Sequence, residues 1–291
     1  MILNKRLIDK AYGKINLYLD VTGKRQDGFH EVKSIMNSVS LYDEIEIELS
    51  DSDRDSLVCD LVGIPLDHRN LALKAVDAFR KETGKIFGAN IKIKKMIPAA
   101  AGLAGGSSDA ACVLRLLKRL SSQYISDDLM MKIAASIGAD VPFCYVCGTM
   151  LAEGKGEILT EIQNCPKLHL AIAIKGEGIS TPWAYGALDK KFDDFSNTGC
   201  GEKLQKLLCA LKDTDVERIP ENMFNIFESV VENERPEIKA LKKIMLDNGA
   251  IRTMMSGSGP SVFGIFSSEE EAKSAVEILR SYGADAHYCT T

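Results

Sequence analysis

The chain is organised around residues 98–109, which read PAAAGLAGGSSD. Before this stretch, Ile91 and Ile93 alternate with lysines, and this period of two is typical of a strand. After it, apolar residues recur at helical spacing from Ala110 to Leu120. A loop of small residues therefore joins a strand to the start of a helix.

A loop of this composition can bind phosphate. Glycine allows several backbone N–H groups to point into one concavity, and it lets a ligand approach the main chain closely. The helix end adds about half a positive charge and free N–H donors. Ser107 or Ser108 is expected to cap the helix, or to offer its hydroxyl to an oxyanion or a metal ion. A plain tight connection is the alternative, and phosphate binding is the interpretation we favour.

The loop does not match the two commonest nucleotide-binding motifs. It has no lysine at the position that a P-loop requires, and the spacing of Gly102 and Gly105 differs from that of the dinucleotide fingerprint GxGxxG.

The composition is that of an ordinary globular protein. The chain has 291 residues, of which 45% are hydrophobic and 26% charged. Its net charge of −5 argues against nucleic acid as a partner. No apolar run approaches the ~20 residues that span a bilayer, and the N-terminus lacks a signal-peptide core. Eight scattered cysteines are expected to be reduced. These features predict a cytoplasmic protein that does not act at a membrane.

The pair Cys144 and Cys147 is a lone CxxC sequence. We expect it on a strand, where the two side chains would face opposite sides, and no second pair completes a zinc site. A metal or redox site is therefore not predicted here.

The first strand places polar side chains together. From Lys10 to Val21 apolar and polar residues alternate, so Lys14 and Asn16 share one face. By itself this pattern favours a solvated outer face. A turn over residues 22–31 should follow, in which Phe29 and His30 would by chemistry alone be surface residues.

Other patterns predict the remaining elements. Asn70 should cap a helix that runs to Thr83 and stops at Gly84, and Asp140 lies just past a helix that Gly138 ends. Such an aspartate is ordinarily a turn residue. Further strands are expected at 39–49, within 148–162, and at 168–174, 251–255, 262–266 and 284–289; helices at 126–137, 202–212, 221–233, 236–247 and 268–282; and a mobile connection at 190–201.

Several segments together resemble the GHMP kinases, the small-molecule kinases of the galactokinase, homoserine, mevalonate and phosphomevalonate type. AYGKINL at 11–17 resembles the first family motif, residues 98–108 the second, and MSGSGPS at 255–261 the third. GADVP at 138–142 resembles the segment that carries the catalytic aspartate. The second motif departs from the family pattern, because alanines stand where glycines are common. If Ala104 adopts positive φ, this costs about 1 kcal/mol.

The resemblance covers nearly the whole chain and implies its fold. It implies an α+β protein with the two-domain GHMP kinase fold. Residues 1–160 would form an N-terminal domain like domain 2 of ribosomal protein S5, and residues 161–291 a ferredoxin-like C-terminal domain.

Two further segments, RQDGFHE at 25–31 and STPWAY at 180–185, resemble one branch of the family. That branch phosphorylates the 2-hydroxyl of a cytidine diphosphate-linked methylerythritol, in isoprenoid precursor biosynthesis that does not use mevalonate. The resemblance implies that Phe29 and Tyr185 stack on the two faces of the cytosine and that His30 contacts it. Phe29 replaces the tyrosine that is usual in the branch, which keeps the stacking face and removes a hydroxyl.

The resemblance also implies the residues of the site. Lys14 and Asp140 would be catalytic. The residues implied to bind ATP are Asn70, Leu71, Lys95, Pro98, Ala99, Ala100, Ala101, Gly102, Leu103, Ala104, Gly105, Gly106, Ser107 and Ser108. The residues implied to bind the acceptor are Asn16, Phe29, His30, Thr181, Pro182, Tyr185, Ser256 and Gly257.

Mg²⁺ should accompany ATP near Ser107 or Ser108, held mostly by phosphate and water. The implied partners are ATP and a cytidine diphosphate sugar alcohol, and the chain would be a monomer or weak homodimer. Two alternatives stay open. Another GHMP kinase would keep Lys14, Asp140 and the loop without needing Phe29, His30 and Tyr185. A non-enzymatic sensor on the same fold would not need Lys14 or Asp140.

Overall fold

The computed structural model describes residues 1, 3–52, 54–195 and 201–291. Both helices and strands are abundant in it, which confirms the predicted α+β class. The strands are β1 (Arg6–Lys24), β2 (His30–Ser50), β3 (Ser56–Cys59), β4 (Gly88–Lys94), β5 (Thr149–Glu153), β6 (Ile158–Glu161), β7 (His169–Ile174), β8 (Phe224–Asn225), β9 (Arg252–Met255), β10 (Val262–Phe266) and β11 (Asp285–Thr290).

The helices follow the predicted apolar spacing in most places. They are α1 (Leu71–Thr83), α2 (Gly105–Leu120), α3 (Asp127–Ile137), α4 (Val141–Val146), α5 (Thr181–Lys191), α6 (Gly201–Lys212), α7 (Arg218–Glu221), α8 (Glu228–Glu234), α9 (Pro236–Asp247) and α10 (Glu269–Ser281). Within the described ranges, none of these helices combines the length and the apolar character needed to cross a membrane.

The chain divides into two compact units that are not contiguous in sequence. Unit 1 comprises Met1–Gly13, Tyr42–Ala99 and Ala104–Cys147, and unit 2 comprises Lys14–Leu41, Ala100–Leu103 and Gly148–Thr291. The long strands β1 and β2, which pair with each other, contribute residues to both units. A boundary near residue 160 between two family domains stays a prediction.

Unit 1 packs helices α1 to α4 with a small sheet. β4 pairs antiparallel with β2 and parallel with β3. Ile45 and Ile47 of β2 are buried opposite Ile93 and Ile91 of β4. The glutamates that alternate with them lie outward, as the period of two predicts.

Unit 2 contains a four-stranded antiparallel sheet in the order β11-β7-β10-β9. Counted along the chain, this is the order 4-1-3-2 of a ferredoxin-like unit, as predicted for the C-terminal half. Helices α9 and α10 pack on this sheet, and Met245 and Leu279 are completely buried there. In the same unit β8 pairs parallel with β1, and β5 pairs antiparallel with β2.

Three predictions about elements need correction. A single helix at 221–233 is wrong, because the short strand β8 lies between α7 and α8 and pairs with β1. Cys144 and Cys147 are not on a strand, since Cys144 belongs to α4 and Cys147 follows its end. Of the predicted connection at 190–201, residues 190 and 191 are helical and residue 201 begins α6, whereas residues 196–200 lie outside the described residues.

Candidate active site

The loop of small residues at 98–109 leads into α2 and contains two alanines in the left-handed region. Ala100 has φ 51° and Ala104 has φ 58°, so the strain expected for Ala104 is present. Ala104 occupies the N-cap position, α2 begins at Gly105, and no side chain caps the helix. The prediction that Ser107 or Ser108 caps it is therefore wrong, because both lie inside the first turns.

This arrangement leaves backbone donors at the start of α2. The N–H groups of Gly105, Gly106 and Ser107 have no acceptor within the helix, because they precede its first full turn. Leu71, at the start of α1, approaches the same place: a Cβ added to Gly106 would lie 3.8 Å from Leu71 Cδ1. Asn70 caps α1 as predicted, since its Oδ1 accepts a hydrogen bond of 2.9 Å from the N–H of Ala72. Two predicted ATP-binding segments thus meet in unit 1.

The two serines of the loop differ in availability. Ser108 is buried, and its Oγ donates to the carbonyl oxygen of Tyr12 at 2.7 Å. Ser107 is only partly buried and lies in the first turn of α2. Of the two hydroxyls predicted near the metal ion, that of Ser107 is the more accessible one.

Lys95 has its ammonium group between two carboxylates. Its Nζ donates to Asp109 Oδ2 at 2.8 Å and also to Asp43 Oδ2. Asp43 is completely buried, and its Oδ1 accepts from the N–H groups of Met96 and Ile97 at 2.6 and 2.8 Å. These contacts tie β2 to the strand end before the loop and to α2 behind it. A contact of Lys95 with ATP stays a prediction.

The electrostatics of this cluster follow from burial. Burial raises the pKa of Asp109 to about 7, against the lowering effect of the Lys95 ammonium and with a raising effect of Asp43. Burial by itself would lower the pKa of Lys95, but the two carboxylates outweigh it and raise that pKa. Sequence reasoning singled out Lys95 and missed both of its partners.

Asp140 lies at the N-cap position of α4, two residues after Gly138, and is partly buried. Its side chain does not cap the helix, so its carboxylate is not used in the way that an ordinary turn residue would use it. Helix α4 is fixed to α2, because Arg115 of α2 donates to the carbonyl oxygen of Cys144 at 2.8 Å. A catalytic role of Asp140 stays a prediction.

Lys14 and Asn16 share one face of β1 as predicted, but that face is not solvated. The two residues are 4% and 3% exposed. Lys14 Nζ donates to Asn16 Oδ1 at 2.6 Å, and the N–H of Gly257 donates to the same oxygen at 2.9 Å. Asn16 Nδ2 in turn donates to Ser34 Oγ at 2.8 Å. The first and third motifs are thus in direct contact within unit 2.

Gly102 and Leu103, in the middle of the loop before α2, join the same contacts. Gly102 has φ 78°, and a Cβ added to it would lie 2.1 Å from the carbonyl oxygen of Ser256, so only glycine fits. Ser256 Oγ donates to the carbonyl oxygen of Gly102 at 3.0 Å. The backbone N–H of Lys14 donates to the carbonyl oxygen of Leu103 at 3.1 Å. Residues from all three motifs therefore meet in unit 2.

The residues expected at the cytosine show an unexpected pairing. The ring of Tyr185 stacks on that of His30, with centroids 4.7 Å apart and planes at 27°. Phe29 is 57% exposed, and the ammonium of Lys155 lies 4.7 Å from its ring centroid. Contrary to the predicted turn, His30 is the first residue of β2 and is buried.

His30 also has an acidic partner that sequence reasoning missed. Its Nε2 lies 2.7 Å from Asp189 Oδ1, and Lys24 Nζ donates to Asp189 Oδ2 at 2.7 Å. The hydrogen bonds from Lys24 and then His30 lower the pKa of Asp189. An ionised Asp189 at this distance favours a proton on His30 Nε2 and so fixes the ring orientation.

Thr181 and Pro182 begin α5 and are exposed. Thr181 Oγ1 lies 3.1 Å from Ser258 Oγ, so the start of α5 contacts the same turn as Lys14 and Gly102 do. Apart from the masked positions, the structure holds no cluster of three or more His, Cys, Asp or Glu side chains suited to a metal ion.

Comparison with known proteins agrees with this geometry. The GHMP kinase N-terminal domain matches residues 70–148, and the GHMP kinase C-terminal domain matches residues 205–285. The 4-diphosphocytidyl-2-C-methyl-D-erythritol kinase of Caldicellulosiruptor bescii is 40% identical over 282 residues, which cover 97% of each chain. The enzyme of the same name from Acetivibrio thermocellus is 42% identical over 272 residues, which cover 94% of each chain.

Solved structures are similar over the same extent. The crystal structure of a 4-(cytidine 5'-diphospho)-2C-methyl-D-erythritol kinase matches with a TM-score of 0.80 and 29% identity, covering 98% of both chains. A homoserine kinase from Cytophaga hutchinsonii also matches with a TM-score of 0.80, over 98% of this chain and 94% of its own, but at 19% identity, which shows a common fold alone.

Proposed function

Because the chain belongs to the 4-diphosphocytidyl-2-C-methyl-D-erythritol kinases of the GHMP kinase family, we propose that it transfers the γ-phosphoryl group of ATP to the 2-hydroxyl of 4-diphosphocytidyl-2-C-methyl-D-erythritol. This reaction belongs to isoprenoid precursor biosynthesis that does not use mevalonate. The single observation in the structure that carries the proposal is the start of α2, where backbone donors follow two left-handed alanines and no side chain caps the helix.

The ATP phosphates would bind at this helix start. The N–H groups of Gly105, Gly106 and Ser107 would donate to phosphate oxygens, and the helix dipole would favour their negative charge. Asn70 and Leu71, at the start of α1, are proposed to contact the rest of the nucleotide.

Mg²⁺ fits this donor set only as a phosphate-bound ion. The described part of the chain offers no carboxylate cluster for it, and the hydroxyl of Ser107 is the accessible protein ligand. When bound with ATP, the ion would offset the charge on the transferred phosphoryl group. Ser108 is not proposed as a ligand, because it supports Tyr12.

The acceptor hydroxyl would be handled by Asp140 and Lys14. Asp140 would orient this hydroxyl and accept its proton, while the Lys14 ammonium would offset negative charge on the phosphoryl group. Phosphoryl transfer passes through a loose transition state, so positioning and charge matter more than activation of the nucleophile. The contacts of Lys14 with Asn16 support a fixed orientation of the ammonium.

The cytidine part of the acceptor would bind beside Tyr185. Stacking of one base is worth about 1–3 kcal/mol. The Tyr185–His30 pair supplies a preformed aromatic surface, and the exposed ring of Phe29 is proposed to close on the other face of the base. Thr181 and Pro182 at the start of α5, with Ser256 and Gly257, would contact the remainder of the acceptor.

The proposed partners are ATP and the cytidine diphosphate-linked acceptor. The net charge of −5 does not favour nucleic acid as a partner. We further propose that the chain is a monomer or weak homodimer in the cytoplasm.

The acceptor can be identified by a transfer assay with labelled ATP. 4-Diphosphocytidyl-2-C-methyl-D-erythritol, mevalonate and homoserine would be compared at equal concentration, and label is expected only in the first. Label in mevalonate or homoserine alone would assign another member of the family. If no acceptor is labelled although ATP stabilises the fold, the chain is a sensor rather than a kinase.

The role of Asp140 can be tested in the same assay. The variant Asp140→Asn keeps the size of the side chain and is expected to lose about 10²–10⁴-fold in kcat, with KM values within a few-fold. Asp128→Asn, an exposed acid in the first turn of α3, is the matched control and should keep wild-type kcat. A folded Asp140→Asn protein with near-normal kcat would make the aspartate a structural residue.

A further inference from the structure

Asn225 lies in β8, outside every motif of the chain, and its side chain makes three hydrogen bonds to the backbone. β8 pairs with β1, where Asn225 lies opposite Leu19. The side chain is buried, and its Nδ2 donates to the carbonyl oxygens of Met255 and Gly257 at 2.7 and 2.9 Å. Its Oδ1 accepts from the N–H of Phe227 at 3.0 Å. Because one end meets two carbonyls and the other an N–H, the orientation of the amide is fixed.

The two carbonyls flank Ser256 in the turn that contacts the first motif. Gly257 has φ 57°, and its N–H donates to Asn16 Oδ1, the same oxygen that accepts from Lys14 Nζ. A Cβ added to Gly257 would lie 3.3 Å from Lys14 Nζ. The position of the Gly257 peptide therefore determines both the orientation of the Asn16 amide and the space around the ammonium.

A second side chain from the same segment holds the entry to the turn. Glu228, three residues after Asn225, accepts from the N–H of Met255 at 2.7 Å through Oε1. Lys242 Nζ donates to the same oxygen at 2.8 Å. Glu228 is fixed in this way on one side of Met255, while Asn225 binds the carbonyl oxygen of the same residue. The backbone before Gly257 is thus held at both its N–H and its C=O.

We propose that Asn225 is a positioning residue for phosphoryl transfer, which acts by holding Gly257 so that the Gly257 N–H and Asn16 aim the Lys14 ammonium at the phosphoryl group. Asn225 touches neither ATP nor the acceptor in this scheme. The proposal rests on the proposed function, because it requires Lys14 to act in the reaction. Without Asn225, two buried carbonyls lose their donor and the turn can shift relative to β1.

Asn225→Ala removes both donors, and a misplacement of about 1 Å in an active site can cost about 10²-fold. We expect kcat to fall roughly 10–100-fold with the KM for ATP within a few-fold of wild type. Asn222→Ala is the matched control, because Asn222 is also buried but donates to the carbonyl oxygen of Arg218 within α7. The control should keep wild-type kcat; equal losses in the two variants would overturn the proposal. Asn225→Ser, which keeps one donor, replaces Asn225→Ala if the latter does not fold.

A double-mutant cycle separates positioning from general damage. If Asn225 acts through Lys14, Asn225→Ala should lower kcat little or not at all in a Lys14→Met background. A further loss equal to that seen in the wild-type background would overturn the proposal.

Amide hydrogen exchange of the peptide 253–262 gives a readout that needs no substrate. Exchange at Gly257 should become faster in Asn225→Ala and stay at the wild-type rate in Asn222→Ala. Unchanged protection at Gly257 in Asn225→Ala would contradict the proposal whatever the activity. Failure of the wild-type chain to phosphorylate the cytidine acceptor, with the exchange result as expected, would instead count against the proposed function.

Discussion

Two lysines with buried side chains, one in each unit, are held in different ways. In unit 1, the ammonium of Lys95 lies between the carboxylates of Asp43 and Asp109. In unit 2, the ammonium of Lys14 donates to the amide oxygen of Asn16. The first arrangement is a cluster of three charged groups, whereas the second includes a chain of hydrogen bonds through the neutral groups of Asn16 and Ser34. A buried lysine by itself therefore says little about function, and its partners say more.

The cluster in unit 1 is suited to hold structure in place. It joins β2, the end of β4 and α2, and it excludes water, because all three side chains are at most 5% exposed. Its two carboxylates exceed its one ammonium, and Asp109 Oδ1 has no hydrogen-bond partner among the described residues. Burial of this excess charge raises the pKa of Asp109 to about 7. The cluster is thus sensitive to pH and intolerant of losing its cation.

The hydrogen bonds around Lys14 in unit 2 are suited to orient its ammonium group. Asn16 accepts from Lys14 and Gly257 and donates to Ser34, and Ser34 donates to the carbonyl oxygen of Tyr18 at 2.7 Å. The amide, the hydroxyl and the backbone groups do not titrate in the physiological range, so they keep their orientation as pH changes. The comparison therefore predicts that unit 1 supplies pH-dependent stability and unit 2 supplies a fixed ammonium.

The largest effect on stability is expected from Lys95→Met. Removing one partner from a buried ionic cluster costs about 3–5 kcal/mol, because Asp43 and Asp109 would stay buried without a counter-charge. The free energy of unfolding, measured by urea titration, should fall by about that amount. Lys94→Met, at the exposed neighbouring position, is the control and should change stability by less than about 0.5 kcal/mol. Similar values for the two variants would mean that the cluster is not a structural support.

A smaller effect, with a defined pH dependence, is expected from Asp109→Asn. The pKa of Asp109 is about 7 in the folded chain, above its ordinary value of 3.8. Between these two pH values the folded state holds a proton that the unfolded state has released, so the free energy of unfolding decreases as pH rises through this window. Asparagine does not titrate. We therefore expect the stability of wild type relative to Asp109→Asn to fall by about 3 kcal/mol from pH 4 to pH 7.

Urea titrations of both proteins at several pH values would measure this difference. Lys95 does not contribute to the pH dependence between pH 4 and pH 7, because its pKa is raised above the ordinary value of 10.5. A difference between wild type and variant that stays constant from pH 4 to pH 7, or that changes in the opposite direction, would contradict the proposed protonation of Asp109.

The smallest effect is expected from Ser34→Ala in unit 2. The variant loses the contacts of Ser34 with Asn16 and with Tyr18, which should cost about 1–2 kcal/mol of unfolding free energy and lower kcat several-fold as Asn16 becomes less fixed. Ser38→Ala is the control on the same strand, because the hydroxyl of Ser38 accepts from the N–H of Gly148 and not from the Asn16 amide. A kcat that is unchanged, or that changes equally in both variants, would show that Ser34 does not support Lys14.

The sequence predicted local relations in this site well. The period of two in β1 placed Lys14 and Asn16 on one face, and the small-residue loop predicted the start of a helix, which lies at Gly105 rather than after Ser107 or Ser108. Burial of that face was not predictable from the strand, because it depends on Gly257, 241 residues away. The capping error at Ser107 and Ser108 arose because Ala104 takes a conformation that alanine rarely adopts.

Contacts distant in sequence account for the other misses. The helical spacing at 221–233 is real, but pairing of β8 with β1 interrupts the helix. The sequence could have indicated that Asp43 is buried, because the period of two places it on the same inward face of β2 as Ile45 and Ile47. A buried acid needs a partner. Which partner it has could not be read from the pattern, since Lys95 is 52 residues away. Asn225 gave no signal at all, because its function in the turn depends on backbone carbonyls.

The contrast between the two lysines is tested most directly by Lys14→Met, measured for both kcat and unfolding in parallel with Lys95→Met. Loss of a preorganised charge at a transferring group typically costs about 10²–10³-fold in kcat. We predict a loss of that size for Lys14→Met in transfer from ATP to the cytidine acceptor, with an unfolding free energy within about 1 kcal/mol of wild type, whereas Lys95→Met should lose chiefly stability. Near-normal kcat in a folded Lys14→Met protein would contradict the assignment of Lys14, and so would a loss of kcat no greater than that of Lys95→Met under conditions where both are folded.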